Sequence, residues 1–494
     1  MNTQLQVSAG DFGLIAPLLI LGALAFVVLL WDTILKPANK GILVAMSLAG
    51  VLVSLGLTVN TWAAIGDTPH SLFSGRLMVD KFGLFINVLI LSVAALVLML
   101  SKDYLDREEI HIGEFHSLLL FALTGMLMLS MANDLIMMFI GIEVMSIPVY
   151  VLVAFNRSNY RCIESALKYF ILGSFATGFM LYGMALLYGF TGTTSLSGIQ
   201  KAMTSTNDPL MLIGMGLLLV GFGFKVGAAP FHMWVPDVYE GAATPVTAAM
   251  ATGVKAAAFA ALIRLVVALS PVIAGAENII VVMAAVTIIV GNIGAIRQDN
   301  LKRMLAYSGI AHTGYMFAGL LAVRGDGDMG QGAVGALAFY LATYVFMNLG
   351  AFAVLIIVGK KEQEPVLVTD WAGLGFKYPM LGAAMTLFML SMGGLPPTAG
   401  FFAKFYLFSE LVRAGYTSLV ILAVLTSAAS FFYYLRVVVQ MYMHEGEGAW
   451  APKPSLLATS VIAVTVFATL SFGILPSGPL AVLDWARASV LALL

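Results

Sequence analysis

The sequence predicts an all-α polytopic membrane protein of about fourteen transmembrane helices, and three observations predict it. Sixty per cent of its 494 residues are hydrophobic and only 10% are charged, against about 25% charged in a soluble domain. Mean hydropathy is +0.96, so a globule of this composition has too little polar surface to cover its core. Charge-free apolar runs of roughly 20 residues, enough to cross a bilayer, recur along the whole chain. A net charge of −1 with so few charges excludes a disordered chain, a coiled coil and a nucleic-acid binder. A single cysteine, Cys162, excludes a disulfide framework and any four-cysteine zinc or iron–sulfur site.

The elements follow in order. Asp11 and Asp32 bracket the first span, Lys40 and Asp67 the second, Lys81 and Lys102 the third. No basic residue precedes the first, which reads as a retained helix rather than a cleaved signal. Further spans are expected at 115–132, 135–156, 162–190, 209–229, 244–270 and 278–296. The last five are expected at 304–323, 331–359, 380–412, 416–440 and 455–475. The tail 478–493 is apolar but short and carries Asp484 and Arg487, which suits an interfacial piece.

Loop charges give the orientation. Loops after odd-numbered spans hold thirteen Lys and Arg, among them Lys36, Arg107, Arg161, Lys302, Arg303 and Lys453. The even loops and the tail hold six, including Arg76, Arg324 and Arg487. The positive-inside rule then puts the odd loops in the cytoplasm and both termini on the periplasmic side.

The remaining six basic residues, Lys168, Lys225, Lys255, Arg264, Lys404 and Arg436, fall inside or beside spans. Charge at membrane depth is costly and marks ion or proton paths. Glu143 lies eight residues past the start of its span at Leu135, about 12 Å down, with Pro148 close behind. Lys168 follows Glu164 by four residues, the favourable order for a helical ion pair, and is deep enough to serve Glu143 instead. Lys225 precedes Pro230 and Pro236, which break the seventh span. Lys255 sits among Ala and Gly about 15 Å below Pro245, near the midplane and too deep to snorkel. Lys404 follows Gly393-Gly394-Leu395-Pro396-Pro397, a second break, in the twelfth span. Arg264, nearer its span end, is expected to pair or snorkel, and Glu410 and Arg413 to sit at the interface. His232 and His312 each read as a satisfied structural histidine; for His312, mid-span, a proton relay is the alternative. No His, Cys or carboxylate cluster has metal-ligand spacing.

The two broken spans are five apart, so a block of helices 4–8 matches a block 9–13. The loop runs Asn133-Asp134-Leu135 and Asp299-Asn300-Leu301 also match. Because five is odd, the second block starts from the opposite side, which makes an inverted repeat with sites at the broken helices. The expected units are residues 1–113 (helices 1–3), 114–270 (first repeat), 271–443 (second repeat) and 444–494 (helix 14 and tail).

The run Phe224-Lys225-Val226-Gly227-Ala228-Ala229-Pro230-Phe231-His232-Met233-Trp234-Val235-Pro236-Asp237-Val238-Tyr239-Glu240-Gly241 resembles the antiporter-like, proton-translocating subunits of bacterial respiratory complex I. Ala306-Tyr307-Ser308-Gly309-Ile310-Ala311-His312 adds to it, and the resemblance covers nearly the whole chain. Among these subunits it is closest to the N type, whose mitochondrial counterpart is NADH dehydrogenase subunit 2. Lys404 stands where the M paralogue typically has Glu, and no long lateral helix of the L type follows. Ala243, where the family often has Pro, is a mild departure.

The resemblance implies that Glu143 pairs with Lys225, that Lys255 is the central proton carrier and that Lys404 is the terminal one. Lys168 matches a further family lysine near the Glu. Removal from water disfavours an ammonium and a nearby carboxylate restores it, so movement of the Glu would gate the transfer. A charge crossing the membrane field costs about 2.3 kcal/mol per 100 mV. The drive would come from partner subunits carrying NADH, FMN, iron–sulfur clusters and quinone, with no cofactor in this chain. Subunits M and K and the lateral helix of L are the implied neighbours, in the bacterial inner membrane. The alternatives are a subunit of a multi-subunit cation/proton antiporter or of a membrane-bound hydrogenase.

Overall fold

The computed structural model describes residues 9–35, 40–110, 113–202, 208–270, 273–323, 328–361, 363–446, 450, 452, 455–477, 482–490 and 493. Lys36, Arg324 and Lys453 of the loop count, and 478–481 and 491–492 of the tail, lie outside the described residues.

The chain is a stack of helices. After a short helix, Ala9–Leu14, come α1 (Ala16–Leu35), α2 (Gly41–Ala64), α3 (Lys81–Arg107) and α4 (Glu114–Ser130). Next come α5 (Leu135–Val153), α6 (Tyr160–Thr191), α7 (Pro209–Val226) and the short α8 (Trp234–Gly241). Then follow α9 (Thr244–Ala268), α10 (Ile273–Ile296), α11 (Leu301–Gly319) and α12 (Asp328–Val358). The remainder is α13 (Pro379–Gly393), α14 (Ala399–Arg413), α15 (Thr417–Met443), α16 (Leu456–Ile474) and α17 (Val482–Val490). Among the described residues, eleven helices are long and apolar enough to cross a membrane, so the protein is a multi-pass membrane protein. Helices α4 and α13 are apolar but shorter.

The starts of these helices are written locally. Asp80 caps α3 by accepting from the Gly83 amide at 2.7 Å. Asp134 caps α5 through the Ile136 amide at 2.8 Å, and Asn300 caps α11 through the Arg303 amide at 3.1 Å. Each satisfies a donor that a helix start leaves without an intrahelical partner. Asp134 and Asn300 also occupy matching places in the chain. Asp134 forms an isolated antiparallel bridge with Ser195, beyond the next helix, and Asn300 does the same with Leu367.

Burial separates centre from rim. The apolar stretch of α9 is buried throughout and that of α12 to 94%, whereas that of α1 is 22% buried. The centre therefore holds the helix of Lys255. Two features were not read from the sequence. A hairpin, β1 (His70–Leu72) against β2 (Leu77–Val79), fills the loop before α3. The span of Lys255 contains a π-helical turn, Met250–Val254, directly before that lysine. The tail forms the nine-residue α17, too short to span, packed on α12 and α3.

Candidate functional site

Both Gly/Pro runs break a helix at depth. Helix α7 ends on Gly227, whose φ of 76° lies in the left-handed region that glycine tolerates. Backbone freed by a break must find partners inside the protein. Here the Phe224 carbonyl accepts from Trp234 Nε1 at 3.0 Å, and the Val226 carbonyl from Thr313 Oγ1 at 2.8 Å. The Ala229 amide donates to Thr287 Oγ1 at 2.9 Å. Lys225, 4% exposed, turns toward α5 and donates to Ser146 Oγ at 2.6 Å and Tyr150 Oη at 3.2 Å. Its ammonium also lies 5.4 Å from the Tyr150 ring centre.

Glu143 is half-buried on α5, and its Oε1 accepts from Thr177 Oγ1 at 3.1 Å. The expected direct pair with Lys225 is not formed, because the lysine is taken by Ser146 and Tyr150 and the carboxylate by Thr177. Lys168 does not serve Glu143 either. It binds Glu164 at 2.9 Å and Asp237 at 3.0 Å with its side chain 45% exposed. The i,i+4 spacing predicted Glu164; Asp237 comes from the break, which swings α8 against α6.

Lys255 is 3% exposed and donates to the Gly309 carbonyl at 2.9 Å and to Tyr344 Oη at 3.3 Å. A side chain at 309 would crowd them: a Cβ there would stand 2.9 Å from Tyr344 Oη and 3.3 Å from Lys255 Nζ. Thr313 Oγ1 bonds the same Gly309 carbonyl at 3.0 Å while it bonds Val226 of the first break. One hydroxyl thus joins the backbone beside Lys225 to the carbonyl that holds Lys255.

His312 continues the line. Its Nδ1 meets Tyr340 Oη at 2.7 Å and its Nε2 meets Tyr434 Oη at 3.4 Å, and Tyr434 in turn bonds Ser308. Tyr315 stacks edge-on to His312 and receives a hydrogen bond from Asn292 Nδ2 at 3.2 Å. Lys404 Nζ lies 5.6 Å from the Tyr315 ring centre. It donates to the Met392 carbonyl at 2.9 Å, the Gly393 carbonyl at 2.8 Å and Ser427 Oγ at 2.8 Å. Two of these acceptors are carbonyls at the C-terminal end of α13, freed by the second break. A groove of about 690 Å³ between α14 and α15 reaches Lys404 from the side.

The tyrosine lattice around His312 was missed in the sequence, where a hydroxyl at i and i+4 (Tyr340, Tyr344) inside an apolar run was the available signal. Arg264 pairs, as expected: it forks onto Asp80 at 2.8 and 2.7 Å and donates to the Ser130 carbonyl at 2.7 Å, all buried. Arg413 pairs with Glu410 at 3.1 Å. Among the described residues, no three His, Cys, Asp or Glu side chains come together to hold a metal.

Residues 132–430, more than half the chain, match the family described as "NADH:quinone oxidoreductase/Mrp antiporter, TM". The chain is 46% identical over 473 residues to NADH-quinone oxidoreductase subunit N of Trichlorobacter lovleyi, covering 94% of this chain and 95% of the relative. The chain belongs to the NADH-quinone oxidoreductase subunit N family. Among solved structures it matches a chain of respiratory complex I from Thermus thermophilus with bound aureothin at TM-score 0.81 and 36% identity, covering 96% of this chain and all of that one. A chain of the Mrp complex from Dietzia shares the fold at TM-score 0.81, with 19% identity and 97% of each chain covered.

Proposed function

We propose that this chain is a proton-translocating membrane subunit of a respiratory NADH:quinone oxidoreductase and carries out no redox step itself. One observation carries the reading. Buried lysines at the two breaks and on the central helix lie along one polar line, from the Val226 carbonyl beside Lys225 through Thr313 and Gly309 to Lys255, and from Tyr344 and His312 through Tyr315 to Lys404. A core of this kind has no use in a scaffold, since buried polar groups cost stability unless they are paired.

An ammonium at Lys225 gives its proton through water to the neutral amine of Lys255, and Lys255 gives it on to Lys404. Glu143 sets the first step. In the observed geometry it is parked on Thr177; a swing toward Lys225 would hold the proton there. Lys168, on the surface with Glu164 and Asp237, acts on the outer face of α6. His312 serves as a secondary relay between two tyrosine hydroxyls.

In this reading α4, α11 and the α13–α14 pair also cross the membrane, which makes fourteen crossings. The matched caps and bridges at Asp134 and Asn300 support an inverted repeat of helices 4–8 and 9–13. The loops after odd spans face the cytoplasm of a bacterial cell and both termini the periplasm. Subunits M and K and the lateral helix of L are the neighbours, and the redox cofactors sit in other subunits.

The test is quinone reduction and proton pumping, side by side, in membranes carrying Lys225→Ala. Loss of both, with an assembled complex, is the expected result. Unchanged activity and pumping would make Lys225 structural and end the assignment.

A further inference from the structure

A polar cavity of about 500 Å³ opens on the face of the odd-span loops, between the ends of α3 and α8 and the starts of α6 and α11. Nothing in the lysine line uses it. At its base lies Glu364, in the loop after α12. Both oxygens of this carboxylate accept from Thr244 Oγ1, at 2.7 and 2.9 Å. Arg107 approaches one oxygen to 3.3 Å and Lys302 the other to 3.8 Å. Lys302 is 3% exposed and also donates to the Ala242 carbonyl at 2.7 Å.

Thr244 is the first residue of α9, the helix that carries Lys255 eleven positions on. Eleven residues are three turns, or about 16 Å. Along that stretch come the Thr247 hydroxyl, the small residues Ala248 and Ala249, and the π-helical turn Met250–Val254, which holds Ala251, Thr252 and Gly253. Small side chains leave room for water, and π turns cluster at functional sites. The cavity therefore ends on the one helix that leads straight to the central lysine.

We propose that this cavity is the proton-uptake mouth for Lys255, with Glu364 as its collecting carboxylate. The proposal rests on the proton-channel reading above and deepens it: protons reach Lys255 along α9 as well as from Lys225. A hydronium in the cavity transfers its proton to a Glu364 oxygen, leaving water and a neutral carboxyl. That carboxyl O–H then breaks toward a water chain, whose far end protonates the neutral Lys255 amine and restores the carboxylate. The groups facing Glu364 are Tyr104, Arg107 and Glu108 from α3, Arg161 and Cys162 from α6, Glu240 from α8 and Lys302 from α11.

A purely structural Glu364 would only tie its loop to Arg107 and cap α9. The pH profile separates the two roles. Quinone reduction and pumping are measured from about pH 6 to about pH 9 in vesicles holding the assembled complex with Glu364→Gln or Glu364→Asp. A collecting group predicts that Gln falls several-fold further behind wild type at the alkaline end, where proton capture limits, and that Asp restores the profile. A loss equal at every pH, or a wild-type profile in Gln, overturns the proposal. If Glu364→Gln does not assemble, Ser158→Cys at the rim, in a Cys162→Ser background, is plugged with a bulky thiol reagent. The same alkaline loss is then expected, and its absence overturns the proposal. Lys255→Ala in parallel keeps the two readings apart. If it leaves pumping intact, the channel itself falls. If it abolishes pumping while Glu364→Gln keeps a wild-type profile, only the uptake mouth falls.

Discussion

The two helix breaks look alike in sequence and are finished differently. At the first, the freed carbonyls of Phe224 and Val226 are taken by Trp234 and Thr313, so Lys225 is left to two hydroxyls on a neighbouring helix. At the second, the freed carbonyls of Met392 and Gly393 are taken by Lys404 itself. The first lysine is thus spare to the fold around it and the second is part of it. A hydroxyl can turn and re-pair when a proton leaves, whereas a carbonyl is fixed by its backbone. This suits an early, exchangeable site and a later one whose geometry is fixed.

Removing each lysine tests that difference. Lys225→Ala and Lys404→Ala should both lower pumping at least about tenfold, the scale of a lost proton-transfer group. Only Lys404→Ala strands the Met392 carbonyl, at a cost of about 1–3 kcal/mol, and leaves Gly393 with only the 3.4 Å bond from Ser427 Oγ. Thermal unfolding of the assembled complex should therefore drop for Lys404→Ala and stay near wild type for Lys225→Ala. Equal destabilisation would erase the contrast.

The link between the two halves gives a smaller effect. Thr313→Val keeps the shape and removes the hydroxyl that bonds Val226 and Gly309. Lys255 keeps its own bond to Gly309. We expect about 1–3 kcal/mol of lost stability and a several-fold slower pump. A variant with wild-type pumping would show that proton transfer between the Lys225 and Lys255 sites does not need this joint.

These contrasts also mark what the sequence could carry. Depth was legible, because one residue advances a helix by about 1.5 Å. Lys225, Lys255 and Lys404 are all buried, as their positions in the spans require. The breaks were legible because proline cannot continue a helix. Azimuth was not, since the direction a side chain faces across a bundle depends on how neighbours pack. Glu143 therefore faces Thr177 rather than Lys225, and Lys168 faces Asp237 at the surface. Arg264 could be expected to pair, but Asp80, 184 positions away, could not be named as its partner. The tyrosines around His312 come from three helices, and only Tyr340 and Tyr344 share a local spacing, so nothing in the sequence brings Tyr315 and Tyr434 to them.

The smallest effect sharpens the comparison most. Trp234 stacks on Tyr169 with ring centres 4.3 Å apart and planes 13° from parallel, and its Nε1 holds the Phe224 carbonyl. Trp234→Phe keeps an aromatic ring against Tyr169 and loses the donor. If the first break is held by its surroundings rather than by its lysine, the cost is one hydrogen bond, about 1 kcal/mol, and pumping stays above half of wild type. That is a shift of a few degrees at most in a thermal melt of the complex. A loss as deep as that of Lys225→Ala would mean that the Phe224 carbonyl, once released, captures the adjacent ammonium. The first break would then behave like the second, with its lysine bound to its own helix end and no longer free to pass a proton on.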